Sequence, residues 1–220
     1  MSAEKSESVI LSVAPYRETS CIMRLFTRAH GLVHGMAKGA RRSGKPAAAP
    51  LDRGFLLEAV VYYRPNRELH TLGGLHVTNF FPNIRSSITK SAVRDIALEL
   101  YLKSITLSEP HPELFELIVD FLAETDGAAS SNALFPALWR FISDYCRLAG
   151  FGIDAQSCKA SGIDSGVVKI VDETINAGLT GAVDKSVSFR VTEQLLSYCR
   201  RHFDMRGGFN SLEFLRLMCT

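Results

Sequence analysis

The chain has 220 residues, of which 46% are hydrophobic and 22% charged, a composition typical of a folded protein rather than a disordered one. The formal net charge is only +2, so the overall charge does not point to a polyanionic partner. A run of about 18 apolar residues is absent, which excludes a membrane-spanning helix, and the polar N-terminus lacks the apolar segment of a secretory signal. Five scattered cysteines, an odd number, are typical of reduced thiols, so we expect a cytoplasmic protein.

The charges are unevenly distributed along the chain. Residues 1–80 carry 11 Lys and Arg against 6 Asp and Glu, whereas residues 81–220 carry 14 against 17. A basic first third beside a slightly acidic remainder favours two units with different partners, and chance scatter is the alternative.

The first 80 residues are predicted to form β-strands. Segments rich in Val, Ile, Leu, Phe and Tyr alternate with Gly and Pro turn signals, and these segments are residues 8–13, 19–27, 31–37, 54–63 and 69–79. Alternation is clearest between Phe55 and Tyr63, where apolar residues occupy every second position. Five short strands in this length predict a small barrel of the oligonucleotide/oligosaccharide-binding (OB) type.

After Pro82 the apolar residues recur at helical spacing. Three helices are predicted around residues 92–105, 114–122 and 134–148. The third has Asn132 as its expected N-cap and Gly150 as its expected end.

The last third of the chain is predicted to be less regular. Two shorter helices are expected to begin at Thr192 and at Ser211. Residues 151–191 are rich in Gly and Asp and contain short apolar runs such as residues 167–171, so we expect an irregular insert with small strands there. The predicted fold class is therefore α+β, with an OB-type barrel over residues 1–80 and a helical domain with this insert over residues 81–220.

The segment GARRSGKP, which follows the third predicted strand, nearly matches a phosphate-binding loop. Pro46 stands where that loop needs a hydroxyl for magnesium, so nucleotide hydrolysis is not expected. The segment fits a basic hairpin loop better, because Lys38, Arg41, Arg42 and Lys45 place four positive charges between two barrel strands. Such a loop attracts polyanions through counterion release, and a merely solvated loop is the alternative.

Further basic residues surround this loop in the predicted strands, namely Arg24, Arg28, Arg64 and Arg67. Aromatic residues are interleaved with them, namely Phe26, Tyr62 and Tyr63. Cations that follow a phosphate backbone and aromatics that stack on bases are what single-strand binding requires. Each aromatic residue is also a candidate for the barrel core, since aromatics in strands usually pack.

The sequence offers no catalytic apparatus. It contains no H-E-x-x-H motif, and the six histidines lack the spacing of metal ligands. Cys158 begins half of a C-x-x-C pair, but Ser161 stands where the second cysteine is needed. We therefore expect a protein that is not an enzyme and that binds no cofactor, with zinc doubtful.

Several strings together resemble the RecO family of bacterial recombination mediators. They are PYRETS from residue 15, LFT from 25, HGLV from 30, AKGARR from 37, ELHTL from 68, ALWRF from 137 and LAGFG from 148. The resemblance implies an N-terminal OB domain, a helical core and a zinc-ribbon-like insert that begins near Cys158. Because the second cysteine and a following C-x-x-C pair are missing, that insert is expected to be degenerate.

The resemblance also implies function and partners. The family binds single- and double-stranded DNA, anneals complementary strands and cooperates with RecR and RecF. It helps to load RecA onto DNA covered by the single-strand-binding protein SSB, and its helical domain recognises the acidic-hydrophobic tail of SSB. A member would work in the bacterial cytoplasm at the nucleoid.

The third predicted helix offers a candidate receptor for such a tail. Trp139 lies off the expected core stripe, and Arg140 and Arg147 are seven residues apart on one helix face. An apolar pocket with basic groups at its lip suits a peptide that ends in a carboxylate. The alternative is that Trp139 packs at the edge of the core and the arginines are only solvated.

Two hypotheses therefore remain open. The first is a non-enzymatic mediator that binds and anneals DNA, which needs charge neutralisation and no bond chemistry. The second is a protein-interaction adaptor whose barrel does not bind DNA.

Overall fold

The structure is a computed structural model, and it describes residues 2–40, 51–63, 67–107, 109–130, 133–153, 161–177 and 184–219. The chain divides into two compact units. The barrel unit comprises Met1–Phe81 and Ile105–Phe115, and the helical unit comprises Pro82–Ser104 and Glu116–Thr220. The sequence places a boundary after residue 80 but contains no signal that residues 105–115 would join the first unit.

Five strands form a closed barrel in the order β1-β2-β3-β5-β4. They are β1 (Ser2–Tyr16), β2 (Ser20–Thr27), β3 (Gly31–Ala37), β4 (Leu56–Tyr63) and β5 (Leu69–Asn79). Only β3 and β5 pair in parallel; the other neighbours are antiparallel. The predicted five-stranded barrel is confirmed.

Alternating side chains fill the barrel interior. On β4 the side chains of Leu57, Ala59 and Val61 are fully buried, while Glu58 between them is half-buried. This is the pattern expected of a strand with one face on a core. The core continues through the buried apolar residues of the other strands, chiefly Ile10, Cys21, Met23, Leu25, Val33, Phe55 and Leu72.

The turn between β2 and β3 requires a glycine. Gly31 has a φ of 63°, and a Cβ atom there would lie 1.9 Å from the carbonyl oxygen of Glu109. The backbone of residues 105–115 therefore passes directly over this turn, and Leu107 forms an isolated bridge to Leu32. The close approach explains why this segment belongs to the barrel unit.

The chain contains seven helices in the described residues. They are α1 (Pro82–Arg85), α2 (Ile88–Ser104), α3 (Pro112–Gly127), α4 (Leu134–Leu148), α5 (Ser165–Ala177), α6 (Lys185–His202) and α7 (Asn210–Cys219). None of the helices in the part of the chain that the structure describes has both the length and the apolar character needed to cross a membrane.

Helices α4 and α6 pack in parallel. The indole nitrogen of Trp139 donates to Thr192 Oγ1 at 3.0 Å, and the sulfur atoms of Cys146 and Cys199 are 3.5 Å apart. Both contacts join residues 53 positions apart, so the two helices run in the same direction and in register.

The structure corrects the prediction of an irregular insert with small strands over residues 151–191. Residues 165–177 form α5, in which Val167, Val168 and Val171 are buried at helical spacing. The run of β-branched residues favoured a strand in the sequence, but burial against other helices overrides that propensity. Cys158, near which the degenerate insert is expected to begin, lies outside the described residues.

Two predicted helix starts are also corrected. Helix α6 begins after Asp184, which accepts a hydrogen bond from the Ser186 amide at 2.8 Å, so Thr192 lies in the middle of the helix. Helix α7 begins at Asn210, one residue before the predicted Ser211. The expected N-cap Asn132 of α4 lies outside the described residues, whereas Gly150, with a φ of 84°, follows the end of α4 as predicted.

Candidate nucleic-acid interface

Side chains on β2, β3, β4 and β5 that point away from the barrel core form one surface, which we call the outer face. Its members are Ile22, Arg24, His34, Met36, Lys38, Tyr62, Leu69 and Thr71. Cross-strand pairing aligns Met36 on β3 with Thr71 on β5, and Thr71 with Tyr62 on β4. Arg24 on β2 pairs with His34 on β3, so the outer face is continuous across neighbouring strands.

Three cations lie on or beside the outer face. Arg24 and Lys38 are exposed members of it, and the exposed Arg67 comes two residues before Leu69 at the start of β5. Within the described ranges, none of the three takes part in an ion pair. Exposed and uncompensated positive charge is what attracts a phosphate backbone.

His34 lies between these charges. Burial lowers the pKa of His34, and the positive charge of Arg24 beside it lowers that pKa further. Glu68 acts in the opposite direction. A histidine with a lowered pKa is neutral near pH 7. The positive charge that a ligand meets on the outer face therefore comes from its arginine and lysine side chains.

An open cleft of about 730 Å³ lies at the end of the outer face where β3 stops. Tyr16, Arg17, Met36 and Lys38 are among the residues that line it. The guanidinium carbon of Arg17 is 5.4 Å from the centre of the Tyr16 ring. The cleft therefore combines two cations and an aromatic ring with one acidic residue, Glu18, next to the outer face.

Half of the basic residues singled out in the sequence lie outside the described residues. These are the loop residues Arg41, Arg42 and Lys45, and Arg64 after β4. The described segment that contains β3 ends at Ala40, directly after Gly39, which lines the cleft. The predicted basic loop follows this segment directly in the sequence, and its role in binding stays a prediction.

Arg28 differs from the other predicted DNA-binding residues because its charge is already compensated. Its Nη2 and Nε atoms donate to Glu7 Oε2 at 2.8 and 3.1 Å. Its guanidinium also lies 4.5 Å from the centre of the Phe115 ring. These contacts tie β2 to β1 and to residues 105–115, so Arg28 has a structural role in the barrel unit.

The three aromatic candidates have different environments. Phe26 is fully buried in the barrel unit. Tyr63 is half-buried and stacks between His70, at a centroid distance of 4.6 Å, and His30, at 5.9 Å. Tyr62 is 37% exposed on the outer face. The alternative of core packing thus holds for Phe26, and Tyr62 is available to a ligand.

The expected tail receptor on α4 requires a correction. Trp139 is fully buried and hydrogen-bonded to Thr192, so its predicted position off the core is wrong. Eleven of the fifteen residues of α4 are buried, and a helix enclosed on most sides has no single core stripe. Arg140 forms an ion pair with Glu124, and Arg147 lies 3.0 Å from Asp144.

The described residues contain no group of three or more side chains that could hold a metal ion. Cys146 and Cys199 are both buried in the helical unit, and the hydrogen bond with Cys146, together with burial, raises the pKa of the Cys199 thiol. A thiol with a raised pKa is a poor metal ligand and a poor nucleophile, because both roles need the thiolate.

Comparison with known proteins identifies both parts of the chain. The family description "Recombination protein O N terminal" matches residues 1–81, and "Recombination protein O C terminal" matches residues 85–207. The first match covers the strands of the barrel and their core. The second ends before α7, so α7 and its exposed residues Phe214 and Leu217 lie beyond it.

Curated relatives agree with the family match. The DNA repair protein RecO of Geobacter sulfurreducens is 29% identical over 181 residues, which cover 81% of this chain and 70% of the relative. Its counterpart in Geobacter metallireducens is 29% identical over 168 residues, covering 74% and 65%. That of Anaeromyxobacter dehalogenans is 30% identical over 166 residues, covering 76% and 64%. The alignments thus span about two thirds of the length of these relatives, and the chain belongs to the RecO family of recombination proteins.

Proposed function

We propose that this chain is a non-enzymatic mediator of recombinational DNA repair, which binds single- and double-stranded DNA through its barrel and anneals complementary strands. Membership in the RecO family supports a role in DNA repair. The observation that carries DNA binding is the uncompensated charge of Arg24, Lys38 and Arg67 on and beside the outer face. The neighbouring cleft adds Arg17 and Tyr16 to this surface.

Annealing follows from charge rather than from bond chemistry. Two DNA strands repel each other, and a protein that neutralises phosphates on one strand lowers the cost of bringing up the second. Base pairing then supplies the specificity, so the protein needs no sequence readout and no catalytic residue. The exposed cations of the outer face suit this task because they follow a backbone without contacting particular bases.

Partners enter the proposal through the family. We assign this chain a role in loading RecA onto SSB-covered DNA together with RecR and RecF. The helical unit is the proposed receptor for the SSB tail, with Arg140 and Arg147 as the basic groups. Such a protein works at the bacterial nucleoid.

The test of DNA binding compares two triple variants by fluorescence anisotropy. Arg24→Ala, Lys38→Ala and Arg67→Ala together should weaken binding to all sequences alike and reduce the salt slope by about 2–3, which is roughly 0.7–0.9 per phosphate contact. The matched control replaces Lys169, Lys185 and Arg190, three exposed cations of the helical unit, with alanine. Equal affinity and slope for the first variant and the wild type would contradict the proposal.

Annealing is tested with two labelled complementary strands, with and without SSB, in buffer that contains no nucleotide. The wild type should accelerate strand pairing, and the triple variant of the outer face should lose most of that acceleration. If the wild type and the triple variant paired the strands at the same rate, annealing by this surface would be excluded.

The adaptor hypothesis has one observation in its favour, since apolar side chains also occupy the outer face. Leu69 is 39% exposed, and Met36 and Ile22 are half-buried. An adaptor would bind DNA weakly at low salt and without a steep salt dependence. The same anisotropy titrations therefore separate the two functions.

A further inference from the structure

We infer that Tyr62 is a stacking platform for an unpaired nucleobase, so that the outer face distinguishes single-stranded from double-stranded nucleic acid. The inference rests on the proposed function, because it assigns a ligand class to one position of the same surface. It begins with exposure: Tyr62 is 37% exposed, and the structure records no hydrogen bond from its hydroxyl to any described residue. The accessible part of the ring is therefore open to a ligand that stacks on it.

The position of the ring is defined by a glycine on the neighbouring strand. A Cβ atom at Gly73 would lie 3.1 Å from Tyr62 Cε2, 3.7 Å from its Oη and 3.9 Å from its Cζ. The ring therefore lies close to the bare backbone of β5, and a Cβ atom at position 73 would require it to shift by a few tenths of an ångström. Tyr62 is thus positioned beside β5 while 37% of it stays accessible to solvent.

The surroundings of the ring suit a nucleic-acid strand. Tyr62 shares its row of the barrel with Thr71 and Met36, both of which are half-buried. Lys38 directly follows β3, which is two strands away, and comes two residues after Met36. At roughly 4.8 Å between strands, the cation is on the order of 10 Å from the ring, within the span of one or two nucleotides.

Stacking requires a base whose face is free. In a duplex both faces of each base are covered by its neighbours, whereas a single strand offers its bases to an aromatic side chain. Such stacking tolerates any base, because every base has a π-face. Tyr62 would thus add affinity for single strands on top of the charge contacts, which serve both forms of DNA.

The experiment uses three ligands of equal length: a single strand, the same strand with abasic sites, and a duplex. Tyr62→Ala should weaken binding of the normal single strand by about tenfold and leave the abasic strand, the duplex and the salt slope unchanged. Tyr62→Phe should behave as the wild type, because the ring remains.

Phe80→Ala is the matched control, because Phe80 is an aromatic residue of the same unit, is 50% exposed and follows Asn79, which pairs with β4 at Leu56, six residues before Tyr62. Thermal melting of each variant identifies any loss of folding. Equal losses for normal and abasic strands, or an unchanged affinity after Tyr62→Ala, would overturn the inference. Failure of the proposed function looks different, because then the wild type itself shows no salt-dependent DNA binding.

Discussion

The cations of the outer face and three arginines of the helical unit differ in whether a carboxylate pairs with them. On the barrel, Arg24, Lys38 and Arg67 are exposed, and the described part of the chain supplies none of them with an ion pair. In the helical unit, Arg94 is buried with its Nη2 atom 2.8 Å from Asp95. The positive charges of the barrel are therefore free to meet a polyanion, whereas that of Arg94 is already neutralised.

The same contrast holds for the arginines of α4. Arg140 pairs with Glu124 on α3, and Arg147 pairs with Asp144 one turn earlier on its own helix. Any acidic ligand that binds them must compete with a carboxylate that is already present. The comparison teaches that the position of the nearest carboxylate, and not the number of arginines, decides whether a cation is available to an anionic ligand.

The largest expected effect concerns Trp139, which the structure places in the core of the helical unit. Trp139→Ala should lower the free energy of unfolding by about 3–5 kcal/mol, because it leaves a large cavity and removes the hydrogen bond to Thr192. Trp139→Phe keeps most of the packing and should cost less. Urea denaturation measures both, and a loss below about 1 kcal/mol for the alanine variant would contradict full burial.

The sequence predicted the barrel better than the helices, for a physical reason. Residues 31–37 and 69–79 were predicted with the observed bounds of β3 and β5, since alternation and turn glycines are local signals. The parallel pairing of β3 with β5 depends on contacts between distant residues, as does the docking of residues 105–115. Local patterns carry no information about either.

Two errors in the helical unit have a common cause. The valines of α5 favoured a strand, and Trp139 was placed outside a stripe that assumed one buried face. Both inferences used intrinsic propensity or a single periodicity, and burial on several sides overrides these. Apolar residues on most of the circumference of a helix indicate that it lies at the centre of its unit, and α4 has this pattern.

The sequence predicted which types of residue occupy the candidate site, but not which of their charges are available to a ligand. Arg24 and Arg28 look equivalent in the sequence. In the described residues only Arg28 of the two forms an ion pair, with Glu7, which lies 21 positions earlier in the chain. That pair depends on the antiparallel pairing of β1 and β2, in which Ser8 lies opposite Thr27. The sequence alone does not fix that register, so it cannot tell a free cation from a compensated one.

The next prediction tests whether the carboxylate beside Arg140 limits peptide binding. Arg140→Ala should weaken binding of an acidic peptide with the sequence of an SSB tail by roughly 1–3 kcal/mol, the scale of a charge-assisted contact. Glu124→Gln should strengthen it, because the guanidinium no longer has a competing partner. Titration of a fluorescent peptide measures both variants.

Asp144→Asn provides the matched comparison for that experiment, because it frees Arg147 in the same way. Tightening in one of the two variants identifies the arginine that contacts the peptide. If the peptide affinity is the same for Arg140→Ala, Glu124→Gln and Asp144→Asn as for the wild type, the receptor lies elsewhere on the protein.

A smaller effect separates Arg24 on β2 from Arg28, which directly follows β2. Arg28→Ala should reduce barrel stability by about 1 kcal/mol, since a half-exposed ion pair and a cation–π contact are lost. Its DNA affinity should stay within about twofold of the wild type. Arg24→Ala should do the reverse, with unchanged stability and weaker DNA binding. Denaturation and anisotropy measurements on both variants decide whether an arginine in an ion pair contributes to stability while an arginine without one contributes to DNA binding.

The smallest effect is a dependence on pH that originates in the histidines of the barrel. Burial lowers the pKa of His70 below 6.5, and the charge of His30 lowers it further. Because the unfolded chain then binds protons more readily than the folded one, this contribution to stability is complete above pH 6.5 and is lost as the pH falls. The melting temperature should therefore be lower at pH 5.5 than at pH 7.5, and His70→Gln should reduce that difference.

DNA binding should respond to the same change of pH in the opposite direction. His34 lies on the outer face beside Arg24, with Glu68 nearby, and its pKa is also lowered. Acidification below pH 6.5 adds positive charge there, so affinity for DNA should rise while the barrel loses stability. His34→Gln should remove the gain in affinity but leave the loss of stability caused by His70. If acidification weakened DNA binding at temperatures where the barrel stays folded, His34 would not face the bound phosphates.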